Sequence, residues 1–494
     1  MNKLKSALLV LLLALALPLA AKEYKYQTVP GDLMKTRIYT LDNGLTVYLS
    51  VNNEKPRIQT YIAVRTGSRN DPPETTGLAH YLEHLMFKGT RQFGTINAAA
   101  EAPLLDSIQN RFEVYRTLKD SLQRRAYYHQ IDSLSQLAAR YFIPNEYDKL
   151  MSSIGAQGTN AYTSNDVTCY VEDIPSNEIE NWARIQADRF QNMVIRGFHT
   201  ELEAVYEEYN IGLASDGNKL FDALMAKLFP GHPYGTQTTI GTQEHLKNPS
   251  IVNIKNYFKR YYVPNNVAVC MAGDFNPDEV IAIIDKHFGS WRPNPGLSQP
   301  QYAPIPDRTA PADTTVTGQE AENIYVGWKF EKAASLQADT LDVIADILSN
   351  GKAGLFDLDL DQQMKWLGGG AFSLPLAEYS GFIVAGFPKK GQTLDDVKAL
   401  MLAEIDKLKR GDFSEDLVKA VVNNKKLSFY TMLESNAARA DMFVNAFINR
   451  QKWSDVVGKL DRISGITKQQ IVDFAKRHFL NNYVAVYKRV GNDT

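Results

Sequence analysis

Cysteine, net charge and long apolar segments are all scarce in this chain. Its 494 residues include only two cysteines, too few for a cysteine-based zinc site. The formal net charge of -2 argues against nucleic acid or an anionic membrane surface as a partner. After residue 21 no apolar run is long enough to span a bilayer, so we expect no membrane span in the mature chain. What remains is a globular protein, with 44% hydrophobic and 22% charged residues, that is too long for a single core.

The first 21 residues differ from all that follow. A short basic segment, residues 1–5, precedes an apolar run over residues 7–21. This pattern predicts a secretory signal peptide cleaved before Lys22, and therefore an exported protein whose expected location is the periplasm. In an oxidising compartment Cys169 and Cys270 would either pair, if their strand-like segments are neighbours, or remain as two buried thiols. The sequence leaves both outcomes open.

The most informative segment is His80-Tyr81-Leu82-Glu83-His84. Two histidines four residues apart on a helix project from the same face and can share one metal ion. The carboxylate of Glu83 beside them could accept a proton from water that the metal polarises. This HxxEH order is the reverse of the commoner HExxH motif and indicates peptide-bond hydrolysis, unless both histidines are ordinary helix residues. Residues 76–89 are predicted to form the helix, which would end at Gly89.

A second predicted helix, over residues 200–213, carries a cluster of glutamates. Carboxylates so close together usually mark a solvated helix face. A hydrolytic zinc site, however, has three protein ligands and an open position, commonly two histidines and one glutamate. The helix can therefore supply a third ligand, whereas His232, in a Pro/Gly loop, is expected to be structural. The candidate carboxylates are Glu201, Glu203, Glu207 and Glu208.

Composition and pattern divide the rest of the chain into two domains. Residues 22–291 are expected to form the first, with a helical hairpin inserted at about residues 98–147. Residues 292–315, rich in proline, glutamine and small side chains, are predicted to be a linker, and residues 316–494 the second domain. Within the first domain a β-hairpin is predicted to turn at Asn43-Gly44.

The second domain repeats the pattern of the first. A helix over residues 469–479 followed by an apolar strand matches a helix over residues 251–262 followed by another. The predicted fold class is therefore α+β, with two homologous α/β domains, each an antiparallel-rich sheet flanked by helices. If Gly89 corresponds to Gly351, the second copy cannot form the same metal site. Its residues at the positions of His80, Glu83 and His84 are Asp342, Ala345 and Asp346.

These features together resemble the pitrilysin/insulinase superfamily of zinc metallopeptidases. The HxxEH motif is the specific mark, and the glycine-rich lead into Asn160-Ala161, the acidic helix and the His232-Pro233-Tyr234-Gly235 loop follow in the family's order. The resemblance runs from about Thr36 to the C-terminus and is closest to the shorter branch that contains mitochondrial processing peptidase and its bacterial relatives. It implies one half of a clamshell, one Zn²⁺ per chain and endopeptidase activity on peptides or unfolded polypeptides.

The resemblance also implies roles for particular residues. In the family the third zinc ligand lies in an E-x-x-(A/V)-V-x-x-E context, and residues 201–208 fit it, with Glu207 as the competing position to Glu208. The edge strand carrying Asn160 and Ala161 would pair with the substrate backbone. The implied site comprises the metal ligands His80, His84 and Glu208, the catalytic base Glu83 with its supporting carboxylate Glu201, and the substrate-binding pair Asn160 and Ala161.

One departure from the family bears on partners. Active members also use an Arg and a Tyr from the C-terminal domain to bind substrate, and the corresponding residues 350–356 and 365–373 contain neither. In two-subunit relatives the partner carries that pair, so the resemblance implies a heterodimer with a homologous subunit. The alternative is a non-catalytic peptide-binding or assembly subunit of the same fold, whose mark would be a broken metal motif. A metal-sensing protein unrelated to proteolysis would leave the acidic helix and the duplication unexplained.

Overall fold

Two β-sheets and the helices that cover them make up residues 22–491, the part of the chain that the computed structural model describes. The first sheet is built from residues 26–273 and the second from residues 312–490. Within this part, none of the helices combines the length and apolar character that crossing a bilayer requires. The predicted signal peptide, residues 1–21, lies outside the described residues.

The first sheet has seven strands in the order β1-β2-β3-β7-β4-β6-β5. All neighbours are antiparallel except β3 and β7, which run parallel. The predicted hairpin is confirmed, because β2 and β3 pair and Gly44, with φ of +87°, lies between them. The strands are β1 Tyr26–Gln27, β2 Arg37–Thr40, β3 Thr46–Val51, β4 Arg57–Val64, β5 Gln157–Thr163, β6 Thr168–Pro175 and β7 Val267–Gly273.

The second sheet repeats five of these strands. Its order β10-β11-β9-β12-β8 matches β5-β6-β4-β7-β3, and its one parallel pair, β8 with β12, matches β3 with β7. The predicted fold class, two homologous α/β halves, is therefore confirmed. The strands are β8 Ala312–Gly318, β9 Asn323–Glu331, β10 Gly368–Pro375, β11 Tyr379–Phe387 and β12 Val484–Val490.

Helices follow the hydrophobic pattern of the sequence and cover both sheets. The first half contains α1 Leu78–Leu85, α2 Ala98–Tyr115, α3 Ser121–Ala139, α4 Glu146–Ser153, α5 Ile179–Asn192, α6 Phe198–Ala214, α7 Asp216–Leu228, α8 Pro233–Thr236, α9 Gln243–Lys247, α10 Ile251–Tyr261 and α11 Pro277–Phe288. The second half contains α12 Leu336–Leu348, α13 Leu394–Arg410, α14 Glu415–Met432, α15 Asn436–Ile448, α16 Trp453–Val457, α17 Lys459–Ser464 and α18 Lys468–His478. Helices α2 and α3 form a helical hairpin, as predicted for about residues 98–147.

Each sheet is covered on one face by a helix from the other half. Leu220 and Leu224 of α7 pack against Val486 of the second sheet. In return, Phe443 of α15 packs against Cys270 of the first sheet. Burying such side chains is worth about 1.5–3 kcal/mol each, so this exchange of helices holds the two halves together.

One detail differs from what the sequence suggested, and one question that the sequence left open is answered. The predicted linker, residues 292–315, overlaps β8, which begins at Ala312. The overlap arises because β8 is largely polar and is fixed by its parallel pairing with β12 rather than by an apolar pattern. The cysteines do not pair: Cys169 and Cys270 are both free and buried, and their strands are separated by β4.

Candidate metal centre and active site

Both ends of α1, the helix that carries the HxxEH motif, are anchored by buried polar side chains. At its start the Asp71 carboxylate accepts hydrogen bonds from the backbone N–H groups of Gly77, at 2.8 Å, and Ala79, at 2.9 Å. At its end the fully buried Arg189 guanidinium donates from Nε to the Met86 carbonyl at 3.0 Å. The helix ends at Leu85, four residues before the predicted end at Gly89, because its last turn tightens to i→i−3 hydrogen bonds.

The structure brings His80, His84 and Glu208 together. The Nε2 atoms of the two histidines lie 3.3 Å apart. Glu208 Oε2 lies 3.5 Å from His80 Nε2 and 3.7 Å from His84 Nε2. Within the described residues, this is the one group of three that could hold a metal ion, and Glu207, the competing position, is not part of it.

The spacing of these three atoms fits zinc. A tetrahedral site with metal–ligand bonds of about 2.0–2.1 Å has ligands about 3.3–3.4 Å apart. The measured separations of 3.3, 3.5 and 3.7 Å therefore outline one face of such a tetrahedron. The donor set, two imidazole nitrogens and a carboxylate oxygen, is the one that hydrolytic zinc sites use, and it leaves a fourth position open. The residues present thus fit the metal that the motif implies.

Glu201 supports the cluster from behind. Its Oε1 lies 2.8 Å from Nδ1 of His84, and its Oε2 lies 2.5 Å from Nζ of Lys88. Burial raises the pKa of Glu201, but the hydrogen bonds from His84 and Lys88 outweigh it and hold that pKa below its usual value. Burial lowers the pKa of His84, and the contacts with Glu201 and Glu208 raise it overall. A carboxylate behind a metal-ligating histidine fixes the orientation of the imidazole ring.

His80 differs from His84. It has no hydrogen-bond partner at its buried Nδ1 within residues 22–491. Burial, together with the neighbouring charge of His84, lowers the pKa of His80 to about 4. A neutral imidazole at this position keeps a lone pair available for a metal ion at neutral pH.

Glu83 lies beside the three clustered side chains and is not one of them. Glu83 is only 7% exposed, and its Oε2 accepts a hydrogen bond of 2.6 Å from the Thr163 hydroxyl. Burial raises the pKa of Glu83, although Thr163 and His84 counteract this in part. A carboxylate in this place can exchange protons with water or with a substrate amine bound next to the cluster.

The predicted substrate-binding residues lie on β5, the edge strand of the first sheet. Asn160 is exposed and Ala161 is half-buried. The Asn160 side chain folds back, so that its Oδ1 accepts a hydrogen bond from the Ala161 N–H at 2.9 Å. The other edge of this strand has no pairing partner within the described residues.

His232, the histidine of the Pro/Gly loop, is not part of the metal cluster. His232 is 1% exposed and contacts Glu378 at 3.2 Å, consistent with the structural role predicted for it.

In the second copy, Asp342 and Asp346 lie on α12, where Nζ of Lys425 contacts each carboxylate at 2.9 Å. An ammonium group thus occupies the place between the two carboxylates.

Sequence reasoning missed three residues that contact the site or the start of the helix that carries it. Lys88 comes four residues after His84, so helical spacing could have indicated it. Thr163 comes two residues after Ala161, and alternation along the strand places both side chains on one face. Asp71 had no signal, because it caps the helix from an irregular loop.

Together the fold and the site define a class: duplicated two-sheet α/β proteins with a two-histidine, one-glutamate cluster on the first half. Two family models match the chain, "Insulinase (Peptidase family M16)" over residues 46–103 and "Peptidase M16 inactive domain" over residues 251–425. The first includes His80, Glu83 and His84. The chain thus matches models of both the N-terminal and the C-terminal domain of M16 peptidases, the group of insulinase.

Relatives and solved structures agree with this assignment. The chain is 24% identical over 497 residues to a zinc protease, PqqE, of Helicobacter pylori, a match that covers 98% of this chain and 94% of the relative. It is 26% identical over 265 residues to a probable mitochondrial-processing peptidase subunit beta of Schizosaccharomyces pombe, which covers 53% of this chain and 47% of that relative.

Solved structures show the same fold. A protease from Helicobacter pylori superposes with a TM-score of 0.77 at 22% identity, covering 92% of this chain and 100% of that one. The periplasmic protease PqqL from Escherichia coli gives a TM-score of 0.71 at 15% identity, covering 94% of this chain and 48% of that one.

Proposed function

We propose that this chain is a zinc-dependent endopeptidase that hydrolyses peptides or unfolded polypeptides, with one Zn²⁺ held by His80, His84 and Glu208. The observation that carries the proposal is the complete donor set, spaced at 3.3–3.7 Å, with the Glu83 carboxylate beside it. A non-catalytic subunit of the same fold has no need to keep either feature. The family matches and the zinc proteases among the relatives support the same reading.

The chain's own residues would divide the chemistry as follows. A zinc ion bound here would act as a Lewis acid, lowering the pKa of water and polarising a substrate carbonyl. Glu83 accepts the proton from the attacking water and returns it to the leaving amine. Glu201 orients His84, and Lys88 holds Glu201 in place.

The substrate would bind as an added strand on β5. Main-chain hydrogen bonds to an exposed sheet edge give affinity with little dependence on side chains, which suits an unfolded polypeptide. Ala161 would offer its N–H to the substrate once the Asn160 side chain releases it. Asn160 would then be free to contact the substrate itself.

A homologous partner subunit would complete the site. The Arg and Tyr that active relatives use are missing from residues 350–356 and 365–373. Tyr379, the nearest alternative, is engaged elsewhere, because its hydroxyl accepts a hydrogen bond from the Ile305 N–H at 3.1 Å. A second chain closing on this one like a clamshell would supply the pair. The signal-like residues 1–21 and the likeness to a periplasmic protease support export to the periplasm.

Cleavage of an unstructured fluorogenic peptide tests the proposal. The zinc-loaded wild-type chain, assayed with and without a co-purified partner, should cleave it, and Glu83→Gln should retain zinc while losing at least about 100-fold in kcat. Glu207→Gln, on the exposed face of α6, is the matched control and should remain active. A zinc-loaded wild type that cleaves no peptide, alone or with its partner, would overturn the proposal. Full activity of the chain without a partner would remove the partner requirement.

A further inference from the structure

The Glu83 carboxylate depends on a single hydroxyl for its position. Thr163 Oγ1 donates to Glu83 Oε2 at 2.6 Å, and no other hydrogen-bond donor in residues 22–491 reaches that carboxylate. Glutamate has three rotatable side-chain bonds, and its terminal one is only loosely restricted. A buried carboxylate with one donor is therefore directed by that donor.

The hydroxyl of Thr163 is itself held by the sheet. Thr163 ends β5 and stands opposite Thr168 of β6 in the strand register. Thr168 is fully buried and gives its own proton to the Thr66 carbonyl at 3.1 Å. The hydroxyl oxygens of Thr163 and Thr168 are 3.4 Å apart, a longer distance than the 2.6 Å from Thr163 to Glu83. The single hydroxyl proton of Thr163 is therefore directed at Glu83.

Thr163 also belongs to the strand that is proposed to bind substrate. Residues two apart on a strand point to the same side, so the side chains of Ala161 and Thr163 share one face of β5. A peptide that pairs with this edge would fix the strand against β6. The hydroxyl that directs Glu83 would be fixed with it.

We propose that Thr163 is a positioning residue that orients the Glu83 carboxylate and couples peptide binding on β5 to the proton transfer. This inference rests on the proposed peptidase function. The hydrogen bonds of the Thr163 hydroxyl within residues 22–491 go to Glu83 and Thr168, and none joins it to His80, His84 or Glu208. Its loss should therefore lower kcat and leave zinc binding intact.

A hydroxyl-deleting pair of variants separates this role from packing. Thr163→Val has nearly the same shape and lacks the hydroxyl, whereas Thr163→Ser keeps the hydroxyl and loses a methyl group. Thr46→Val is the matched control, a half-buried strand threonine on β3, which three strands separate from β5. The measurements are kcat and KM on an unstructured peptide, zinc per chain and melting temperature, made on the full chain with any subunit that co-purifies.

Thr163→Val should lower kcat about 10- to 100-fold, with KM and zinc content unchanged, because a misdirected base loses much of its contribution. Thr163→Ser and Thr46→Val should stay within about threefold of wild type. A Thr163→Val chain with wild-type kcat would overturn the inference. A loss of kcat that Thr163→Ser shares would overturn it too. The same holds if Thr163→Val loses zinc rather than kcat.

Crystal structures of the wild type and Thr163→Val give a readout that does not depend on activity. The Glu83 carboxylate should leave its position in the Val variant and keep it in Thr163→Ser. An unmoved carboxylate in Thr163→Val would contradict the inference. If the zinc-loaded wild type cleaved no peptide, the proposed function would fail, and this structural comparison would still decide the role of Thr163.

Discussion

The Nδ1 atom of His84 lies 2.8 Å from Oε1 of Glu201, a residue 117 positions further along the chain. An ionised carboxylate can only accept a hydrogen bond, so Nδ1 carries the proton. The neutral ring then has its lone pair on Nε2, the atom that faces His80 and Glu208. Glu201 thereby selects the tautomer that binds a metal, without being a ligand itself.

Removing this carboxylate should weaken zinc binding. We expect Glu201→Ala to raise the zinc dissociation constant about 10- to 100-fold, as loss of such supporting groups typically does. Glu203→Ala is the control, because its side chain is 69% exposed on the same helix. Competition with a chromogenic chelator measures the zinc dissociation constants of both variants. Equal affinities in the two variants would show that Glu201 does not support the site.

In the second copy, the contacts of Lys425 with Asp342 and Asp346 should stabilise the fold, and no metal should bind between the two carboxylates. Lys425→Met would leave Asp346 without its partner and should lower the free energy of unfolding by about 1–3 kcal/mol. Lys419→Met, on the same helix and 70% exposed, should cost no more than about 0.5 kcal/mol. Denaturant unfolding tests the pair. Zinc content should be the same in both variants, and equal stabilities would contradict the assignment.

Glu378 of the second half contacts Arg69, in the loop before α1, and His232, directly before α8. These contacts join the two halves and should make stability depend on pH. Burial raises the pKa of Glu378, but His232 and Arg69 outweigh it, so the folded-state pKa lies below its ordinary value of 4.5. The stabilising contribution is therefore complete above about pH 4.5 and is lost as the pH falls through the folded-state pKa.

Thermal unfolding of the wild type and Glu378→Gln between pH 7 and pH 3 checks this. At neutral pH the variant should be less stable by about 1–3 kcal/mol, and the difference should shrink in acid as the wild-type carboxylate becomes protonated. The reverse trend, a gap that widens in acid, would exclude this role for Glu378.

Local signals were enough to predict much of the fold and the candidate site. The Asn43-Gly44 turn, the repeated helix–strand pattern and the spacing of His80 and His84 each depend on residues close in sequence. Glu208 could be placed only through the family resemblance, because four glutamates on one helix offered equivalent patterns. The structure distinguishes them, because the Glu208 carboxylate lies near Nε2 of both histidines, whereas the Glu201 carboxylate lies at Nδ1 of His84.

What escaped prediction depends on distant parts of the chain. The exchange of α7 and α15 between the halves has no local signature, since an amphipathic helix does not specify which sheet it covers. Strand β8 is mostly polar and forms because β12 lies beside it. The hydrogen bond that anchors the end of α1, from Arg189 to the Met86 carbonyl, comes from a residue 103 positions away.

The central claim is that side chains from α1 and α6 meet around one zinc ion, and the metal content of three purified chains tests it most directly. Elemental analysis after dialysis should find one zinc per wild-type chain, one in Glu207→Gln, and a large loss in Glu208→Gln. Full zinc occupancy in Glu208→Gln, or loss of zinc in Glu207→Gln alone, would contradict the account.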